Sequence, residues 1–508
     1  MEIKSLVPVT ILILLFSCTN PRKDELPNII LILADDLGYA ELGCYGQEKI
    51  ETPNIDKLAE NGMRFTQHYA GAPVCAPSRC VLLTGKHTGH AQIRGNDEWA
   101  ERGPVWDFKA MATEPGLEGQ RPLKPGTGTI GSLLKQARYK TGIVGKWGLG
   151  GPLTEGIPNK QGFDFFYGYN CQRQAHTYFP LHLWKDTVKV RLNNKMVIPH
   201  SKLPGDADLY DPESYRDFRL AEYAPDLMQK EVVKFIHKNR KNPFFLYYAN
   251  PIPHNPLQAP QRWVDYYVGK FGDEEPYDGS AGYFPHRYPH ACYAAMVSYM
   301  DEQVGEIVET LKELGLYENT LILFSSDNGP TYSGGADSPW FDSAKPFKSE
   351  RGWGKGSLNE GGLRVPMIAQ WPAKIEKEKE TGLISAFYDL LPTLCEIVKT
   401  DIPENIDGIS FLPTLFNKGK QNLHDYLYWE FPESGGQQAI RMGKWKGIRK
   451  GIHKDSLNIQ LYNLKEDVQE MDDVAKMHPE IVKTMEEIFK KEHTTAEIER
   501  FRIKQLGD

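Results

Sequence analysis

The chain has 508 residues, of which 40% are hydrophobic and 25% are charged, and these are ordinary values for a globular protein. Its formal net charge of -7 argues against a nucleic-acid-binding surface. Seven cysteines in a chain of this length exclude a disulfide-rich scaffold. The length predicts one large domain and a smaller one.

The N-terminus has the pattern of an export signal. Lys4 precedes an apolar run, Leu6 to Phe16, that is too short for a comfortable membrane span, and the run leads into L-F-S-C ending at Cys18. Because this ending resembles a bacterial lipobox, we predict a lipoprotein signal peptide over 1–18, lipidation of Cys18 and a polar tether over 19–27. The protein would then be exported, periplasmic or at the cell surface, and held to the membrane by its lipid alone. An ordinary secretory signal is the alternative.

Strands and helices alternate over 28–419, which predicts an α/β domain with a mostly parallel sheet between helices. Apolar runs such as N-I-I-L-I-L at Asn28–Leu33 fit strands that are buried on both faces. Further strands are predicted at 141–145, 243–250, 320–325 and 367–371, and helices at 53–62, 75–85, 129–137, 220–238, 292–314 and 388–398. We expect 95–126 to be an irregular segment at a pocket rim, and 163–168 and 171–184 to be aromatic-rich loops.

The pattern changes at about residue 420. Short predicted strands at 426–431, 438–441, 445–449 and 460–462 precede a closing helix at 479–491. This arrangement predicts a smaller C-terminal antiparallel α+β subdomain over 420–508.

Four predicted strands end on polar clusters. These clusters are Asp35-Asp36, Lys146, His254 and Asp327-Asn328. Ligands of open α/β sheets bind beyond the carboxyl ends of the strands, so we expect one sheet edge to present all of them. The three carboxylates and one amide are hard oxygen donors, which suit Ca²⁺, suit Mg²⁺ less well, and do not suit zinc.

The segment Cys75–Gly85, C-A-P-S-R-C-V-L-L-T-G, predicts a turn that runs into a helix. Pro77 fits the first turn of that helix and Gly85 ends it. Cys75 then lies at a helix N-terminus, which favours negative charge, and Arg79 lies about one turn further on. A buried structural thiol is the alternative interpretation.

The C-A-P-S-R sequence resembles the C-x-P-S-R signature of the type I sulfatase family, whose arylsulfatase-like members include bacterial carbohydrate sulfatases. The resemblance implies an alkaline-phosphatase-like fold and conversion of Cys75 to formylglycine by a maturation enzyme. In that family the hydrated aldehyde attacks sulfur with one hydroxyl, and the second hydroxyl expels sulfate by elimination.

The same resemblance assigns roles to individual residues. It implies that one Ca²⁺ is bound by Asp35, Asp36, Asp327, Asn328 and the modified Cys75. It makes Lys146 and Lys355 the sulfate clamps, Arg79 the residue that holds the nucleophile and the metal ligands, and His254 the general acid. Lys355 precedes E-G-G-L-R-V-P at 360–366, which resembles the second lysine segment of the family.

One position departs from the family pattern. Gly148 stands where the family usually has a histidine two residues after the first lysine. We predict His176 as a replacement.

The resemblance implies sulfate ester hydrolysis and leaves the alcohol open. An exported enzyme would meet sulfated mono-, oligo- or polysaccharides. We predict sugar contacts for Arg94, Asn96, Arg173 and His176, and ring stacking for Tyr178, Phe179 and Trp184. Two alternatives remain, a phosphomonoester or phosphonate hydrolase of the same superfamily and an inactive glycan-binding lipoprotein. Two-metal superfamily members often carry His after the Asp, whereas here Asn328 follows Asp327.

Overall fold

The structure is a computed structural model that describes residues 26–508. The predicted signal peptide, Cys18 and all of the tether except its last two residues lie outside the described residues. Within 26–508, no helix is both long enough and apolar enough to cross a membrane.

The described chain alternates strands and helices as the sequence predicts. The strands are β1 (Asn28–Ala34), β2 (Met63–Phe65), β3 (His68–Tyr69), β4 (Lys140–Lys146), β5 (Phe165–Tyr169), β6 (His182–Lys185), β7 (Val188–Arg191), β8 (Phe244–Ala249), β9 (Thr320–Ser326), β10 (Met367–Gln370), β11 (Lys379–Thr381), β12 (Ser385–Ala386), β13 (Leu427–Phe431), β14 (Gln437–Met442), β15 (Trp445–Lys450) and β16 (Gln460–Asn463). The helices are α1 (Pro53–Glu60), α2 (Cys75–Thr84), α3 (Phe108–Thr113), α4 (Ile130–Gln136), α5 (Ala224–Asn239), α6 (Gln261–Phe271), α7 (Pro289–Glu313), α8 (Glu360–Leu363), α9 (Leu390–Val398), α10 (Leu412–Leu415) and α11 (Pro479–Glu492).

A ten-stranded mixed sheet organises the larger part of the molecule. Its order is β11-β2-β10-β9-β1-β8-β4-β5-β6-β7, and the run from β9 to β5 is parallel. β10 joins β9 in the antiparallel sense, and β6 and β7 extend the opposite edge as an antiparallel hairpin. The predicted α/β class with a mostly parallel sheet is therefore confirmed.

Strand β1 lies at the centre of this sheet and is buried on both faces. Ile29, Leu31 and Leu33 point into one hydrophobic cluster, and Ile30 and Ile32 point into the other. All five side chains are fully buried. This arrangement explains why the run is continuously apolar, since alternate residues of a strand face opposite sides.

A separate four-stranded antiparallel sheet, β13-β14-β15-β16, follows in the chain, as predicted. One face packs on α11 through Ile440, Leu461 and Phe489. Trp429 and Ile448, from the other face, belong to a core cluster of the main sheet. The small sheet is therefore fused to the larger one by a shared core.

Several segments depart from the predicted elements, including 95–126, which was predicted to be irregular and contains α3. The predicted loop at 163–168 is wrong over most of its length, because β5 pairs in parallel with β4 through residues such as Gly168, opposite Gly145. The second predicted loop, 171–184, is wrong at its end, where β6 begins. α6 was not predicted at all. In each case tertiary pairing or packing decides a short segment whose local pattern is ambiguous.

Candidate active site

The carboxyl ends of four neighbouring strands supply the polar residues of the site. Asp35 and Asp36 follow β1 directly, and Asp327 and Asn328 follow β9, which is hydrogen-bonded to β1. Lys146 is the last residue of β4. His254 follows β8, which lies between β1 and β4. The structure thus brings the predicted clusters to one sheet edge, as the rule for open α/β sheets requires.

Helix α2 places Cys75 at this edge. All ten of its residues are buried, and Gly85 ends it in the left-handed conformation with a φ of +69°. The Ser78 hydroxyl donates to the Asp327 carbonyl oxygen at 2.5 Å, which ties the first turn to the end of β9. The Ala76 N–H, one of the free donors at the helix start, is bonded by the Asn96 side chain at 3.2 Å.

The Cys75 sulfur is surrounded by charged groups. It lies 3.4 Å from Asp35 Oδ1, 3.4 Å from Lys146 Nζ and 3.8 Å from Lys355 Nζ. Burial, followed by the nearby Asp35 carboxylate, raises the pKa of this thiol to about 12. An unmodified cysteine here therefore remains a protonated thiol and is a poor nucleophile at neutral pH.

Three cations, the buried Arg79 and Lys146 and the partly exposed Lys355, neutralise the carboxylates. Arg79 Nη2 lies 2.9 Å from Asp327 and 3.3 Å from Asp35. Lys146 contacts Asp35 at 2.6 Å, and Lys355 contacts Asp36 at the same distance. Burial lowers the pKa of both lysines, but the carboxylates outweigh it and raise each pKa above its usual value, so both stay charged.

The donor set at this edge fits a hard divalent cation. Burial and then the Asp35 carboxylate raise the pKa of Asp327 to about 7, which shows how crowded the negative charge is. Asn328 Oδ1 is buried and has no hydrogen-bond partner among the described residues, while Asn328 Nδ2 donates to Asp36 at 2.8 Å. A buried oxygen without a protein partner beside three carboxylates has the chemistry of a ligand for a hard cation.

His254 stands beside these ligands in a fixed orientation. Its Nδ1–H donates to the Asn255 carbonyl oxygen at 2.5 Å, so Nε2 faces the site, 3.7 Å from Asp36 Oδ2. The Tyr178 hydroxyl donates to the His254 carbonyl oxygen at 2.6 Å and fixes the backbone. Burial, and then the charges of Lys146 and Lys355, hold the pKa of His254 well below its usual value.

Gln172 fills the space next to Gly148, the position at which the resemblance leads us to expect a histidine. A Cβ added at Gly148 would lie 2.7 Å from Gln172 Nε2, and Gly148 itself has a φ of +80°. Gln172 Nε2 is buried without a hydrogen-bond partner in the described part of the chain. The predicted replacement, His176, instead lies against His254, with ring centroids 5.5 Å apart and nearly parallel planes.

The structure gives each of the four predicted sugar contacts a different environment. The prediction that Arg94 contacts a sugar is wrong. Its buried guanidinium is bound to Glu430 at 3.0 Å and to Thr494, so it is not free to bind a sugar. Asn96 caps α2 beside Cys75. Arg173 donates to two backbone carbonyls, at 105 and 106, and its guanidinium lies over the Trp106 ring. His176 remains at the site.

The predictions that Tyr178 and Trp184 stack on a sugar ring are also wrong. The Tyr178 ring is fully buried, and its hydroxyl is used by backbone carbonyls of the His254 loop. Trp184 lies in the core and donates to Glu118 at 2.6 Å. Phe179 remains partly exposed.

Sequence reasoning missed two residues at the site, Tyr283 and His200. The Tyr283 ring lies 5.8 Å from the His254 ring and 4.9 Å from the His200 ring, measured between centroids. Both residues come from irregular segments outside the strands and helices. No motif or periodicity marks such positions, so the sequence carried no signal for them.

Comparisons with known proteins agree with this geometry. Residues 27–400 match the family model described as Sulfatase, and residues 349–495 match one described as N-sulphoglucosamine sulphohydrolase, C-terminal. The chain is 32% identical to human arylsulfatase A over 450 residues, which covers 83% of this chain and 74% of that protein.

Two further comparisons extend over more of the chain. An N-acetylgalactosamine-6-O-sulfatase of Bacteroides thetaiotaomicron is 29% identical and covers 92% of this chain and 93% of its own length. A solved structure described as Ps i-CgsB in complex with k-i-k-neocarrahexaose aligns with a TM-score of 0.72 at 29% identity, covering 92% of this chain and 94% of that one. With the family model matching most of the chain, this protein belongs to the sulfatase family and is a sulfuric ester hydrolase.

Proposed function

We propose that this protein removes sulfate from a sulfated carbohydrate, with formylglycine formed from Cys75 by a maturation enzyme and with one calcium ion. The observation that carries the proposal is the set of charges around residue 75, two lysines and a cluster of oxygen ligands within a few ångströms of its side chain. The raised thiol pKa supports conversion, because a protonated cysteine would be inert.

Each cation of the site has a distinct task in this proposal. Lys146 and Lys355 bind the sulfate oxygens and stabilise the charge that develops on them. Arg79 keeps Asp327 and Asp35 in place, because its guanidinium bonds both carboxylates from within a buried helix. The formylglycine supplies a hydroxyl nucleophile from its hydrated aldehyde.

Asp35, Asp36, Asp327 and Asn328 would hold the calcium ion, together with residue 75. When bound, the ion offsets the charge of the sulfate and lowers the pKa of the attacking hydroxyl. The four hard oxygen donors favour Ca²⁺ over zinc, and the Asn328 oxygen, which has no hydrogen-bond partner among the described residues, supports the assignment.

His254 is the proposed general acid for the departing sugar oxygen. Its Nδ1–H is committed to the Asn255 carbonyl oxygen, so Nε2 is the nitrogen that would carry the transferred proton. Burial, and then the neighbouring lysines, lower the pKa of His254 and so disfavour that proton before substrate binds. An arriving sulfate opposes the lysine charges, so we expect substrate to promote protonation of His254.

Two kinds of observation support a carbohydrate as the alcohol. A relative is named as an N-acetylgalactosamine-6-O-sulfatase, and a similar structure holds a neocarrahexaose. The predicted export signal and lipidation at Cys18 fit an enzyme that meets such glycans outside the cytoplasm, and they remain proposals. A phosphoester hydrolase is the weaker alternative, since Asn328 stands where two-metal superfamily members often have histidine.

The first test compares the matured enzyme on 4-nitrophenyl sulfate, 4-nitrophenyl phosphate and a panel of sulfated sugars, before and after calcium chelation. We expect sulfate ester hydrolysis that falls on chelation and returns with Ca²⁺. We also expect the residue 75 peptide to have a lower mass than its cysteine form. Faster phosphate than sulfate hydrolysis would reject the proposal.

Cys75→Ala should lower kcat by more than about 1000-fold, because it removes the precursor of the nucleophile. Its matched control is Cys80→Ala, which changes another buried cysteine of α2 that faces the core. The control should lose some stability and keep its activity. Undiminished turnover by Cys75→Ala would discard the nucleophile assignment.

A further inference from the structure

Three aromatic rings, those of Tyr283, His176 and His200, lie next to the ring of His254. The Tyr283 ring centroid is 5.8 Å from that of His254, 5.2 Å from that of His176 and 4.9 Å from that of His200. His176 in turn lies against His254 and His200. Four rings from separate chain segments thus form one contiguous wall beside the proposed general acid.

Tyr283 is held in this wall by its backbone. Its N–H donates to His200 Nδ1 at 2.8 Å, and its φ of +62° is uncommon for a bulky residue. The loop that carries it is closed by two reciprocal backbone hydrogen bonds between Tyr277 and His286, each of 2.9 Å. The uncommon φ and the closed loop together hold the Tyr283 side chain against the neighbouring rings.

The Tyr283 hydroxyl has no other task in the described structure. No group of the described residues bonds it, and the side chain is half-buried. Burial raises the pKa of Tyr283 to about 12, and the next contributions come from Lys355 and Asp36, so the phenol lies within electrostatic range of the site. It is therefore a protonated donor at neutral pH that points to no protein partner.

The position of Tyr283 indicates which part of a substrate it meets. Lys146 and Lys355 already flank Cys75, so the sulfate oxygens have their cations there. Tyr283 instead touches His254, the residue that we propose to protonate the departing oxygen. A group that lies beside the general acid and within electrostatic range of Lys355 is placed to meet the alcohol next to its sulfate ester.

We propose that the Tyr283 hydroxyl, with its backbone held by His200, bonds the departing sugar at a hydroxyl or amide group beside the cleaved ester. This inference rests on the proposed carbohydrate sulfatase function and assigns a specificity residue to it. His200 is a positioning residue, because it acts through the Tyr283 backbone. The aromatic wall further provides apolar surface on which a pyranose face can pack.

The test compares Tyr283→Phe with the wild type on N-acetylgalactosamine 6-sulfate, a carrageenan oligosaccharide and 4-nitrophenyl sulfate. The loss of one hydrogen bond to the sugar should lower kcat/KM about tenfold on a sugar probe that the wild type cleaves. The value for 4-nitrophenyl sulfate should stay within about twofold. The control is Tyr210→Phe, which removes an exposed hydroxyl that donates to Glu275 at 2.8 Å. This variant should leave kcat/KM unchanged for both the sugar sulfates and 4-nitrophenyl sulfate.

His200 gives a second, independent measurement. His200→Ala should raise KM for the sugar with little change in kcat, because the acceptor for the Tyr283 N–H is lost. His200→Asn should restore most of the affinity, since asparagine supplies an acceptor and tolerates the left-handed φ of +67° at this position. A merely structural role would lower the melting temperature of both variants and leave the ratio of sugar to aryl sulfate activity unchanged.

The outcomes separate this inference from the function beneath it. An equal loss on sugar and aryl sulfate, or no loss on either, overturns the sugar contact alone. A wild type that hydrolyses 4-nitrophenyl sulfate but neither sugar probe overturns the inference and the carbohydrate substrate, and leaves sulfatase activity intact. A matured wild type that is inactive on all three probes overturns the proposed function itself.

Discussion

Among single residues, Gly148 and Gln172 form the least expected contact of the site. Gly148 has no side chain at the position where the resemblance implies a histidine, and the buried amide of Gln172 lies in that space. The sequence shows the glycine but not its compensation, because Gln172 lies 24 positions later in the chain and reaches Gly148 only through the pairing of β4 with β5.

Gly148→His should therefore fail to recreate a family-like site. The new Cβ would meet Gln172 Nε2 at 2.7 Å, and the backbone φ of +80° disfavours a side chain. We expect a loss of roughly 1–3 kcal/mol in the free energy of unfolding and a lower kcat/KM. Urea unfolding and assays on 4-nitrophenyl sulfate measure the two effects.

A control variant and a double variant distinguish the steric clash with Gln172 from the backbone strain at a positive φ. Gly126→His places histidine at another left-handed glycine, with a φ of +74° and nothing within 4 Å of the added Cβ, so it should show the strain without the clash. Gly148→His combined with Gln172→Ala should regain part of the lost activity. If the double variant is as inactive as the single one, Gln172 is not the group in the way.

At the scale of elements, the two lysines of the site are supported differently. Lys146 is the last residue of a central strand, whereas Lys355 lies in an irregular segment. That segment is held from the small C-terminal sheet. Gln437 at the start of β14 donates to the Gly356 carbonyl oxygen at 2.9 Å and accepts from the Leu358 N–H at 3.1 Å.

Gln437→Ala should loosen Lys355 and lower kcat/KM by about tenfold, because two hydrogen bonds that bracket the lysine segment are lost. The loss should be similar for aryl and sugar sulfates, since Lys355 serves the sulfate group common to both. Gln460→Ala, in β16 of the same sheet, is the control and should leave the kinetics unchanged. A loss confined to sugar substrates would contradict this role for Gln437.

At the scale of the whole molecule, a buried ion network joins the two sheets. Lys446 from β15 is fully buried and contacts Glu360 at 2.8 Å and Glu470 at 3.2 Å. Glu360 belongs to the segment that follows Lys355, and Tyr69 also donates to it at 2.9 Å. The network therefore fixes the small sheet on the main domain.

Lys446→Met should destabilise the protein by about 3 kcal/mol or more, because it leaves two buried carboxylates without their shared cation. Urea unfolding at neutral pH measures the change. The control is Lys444→Met, two residues earlier and exposed over the Trp445 ring, which should stay within about 0.5 kcal/mol. Equal effects in both variants would exclude a special role for the buried lysine.

The same network predicts an acid dependence. Burial would raise the pKa of Glu360, but Lys446 and then Arg364 outweigh it and lower the pKa to about 2 from the ordinary 4.5. The native state thus favours the ionised form, so the resulting stability is complete above about pH 4.5 and is lost as pH falls towards 2. Unfolding experiments across this range should show a shallower acid decline in Lys446→Met.

Local sequence patterns were enough to predict the central sheet and its charged edge. Continuous apolar runs that end in Asp35-Asp36, Lys146 and Asp327-Asn328 are local patterns, and parallel strand order forces their ends together. The C-x-P-S-R resemblance then identified Cys75 and the family. These features were predictable because each depends on a few neighbouring residues and on one general rule of α/β folds.

The residues that surround this edge could be identified only from the folded chain. It moved Arg94 from a predicted sugar contact to a buried ion pair with Glu430, far away in the chain. It also brought Tyr283 and His200 to His254 from irregular segments that carry no periodic signal. Such contacts depend on how distant loops close over the sheet, and no local pattern encodes that closure.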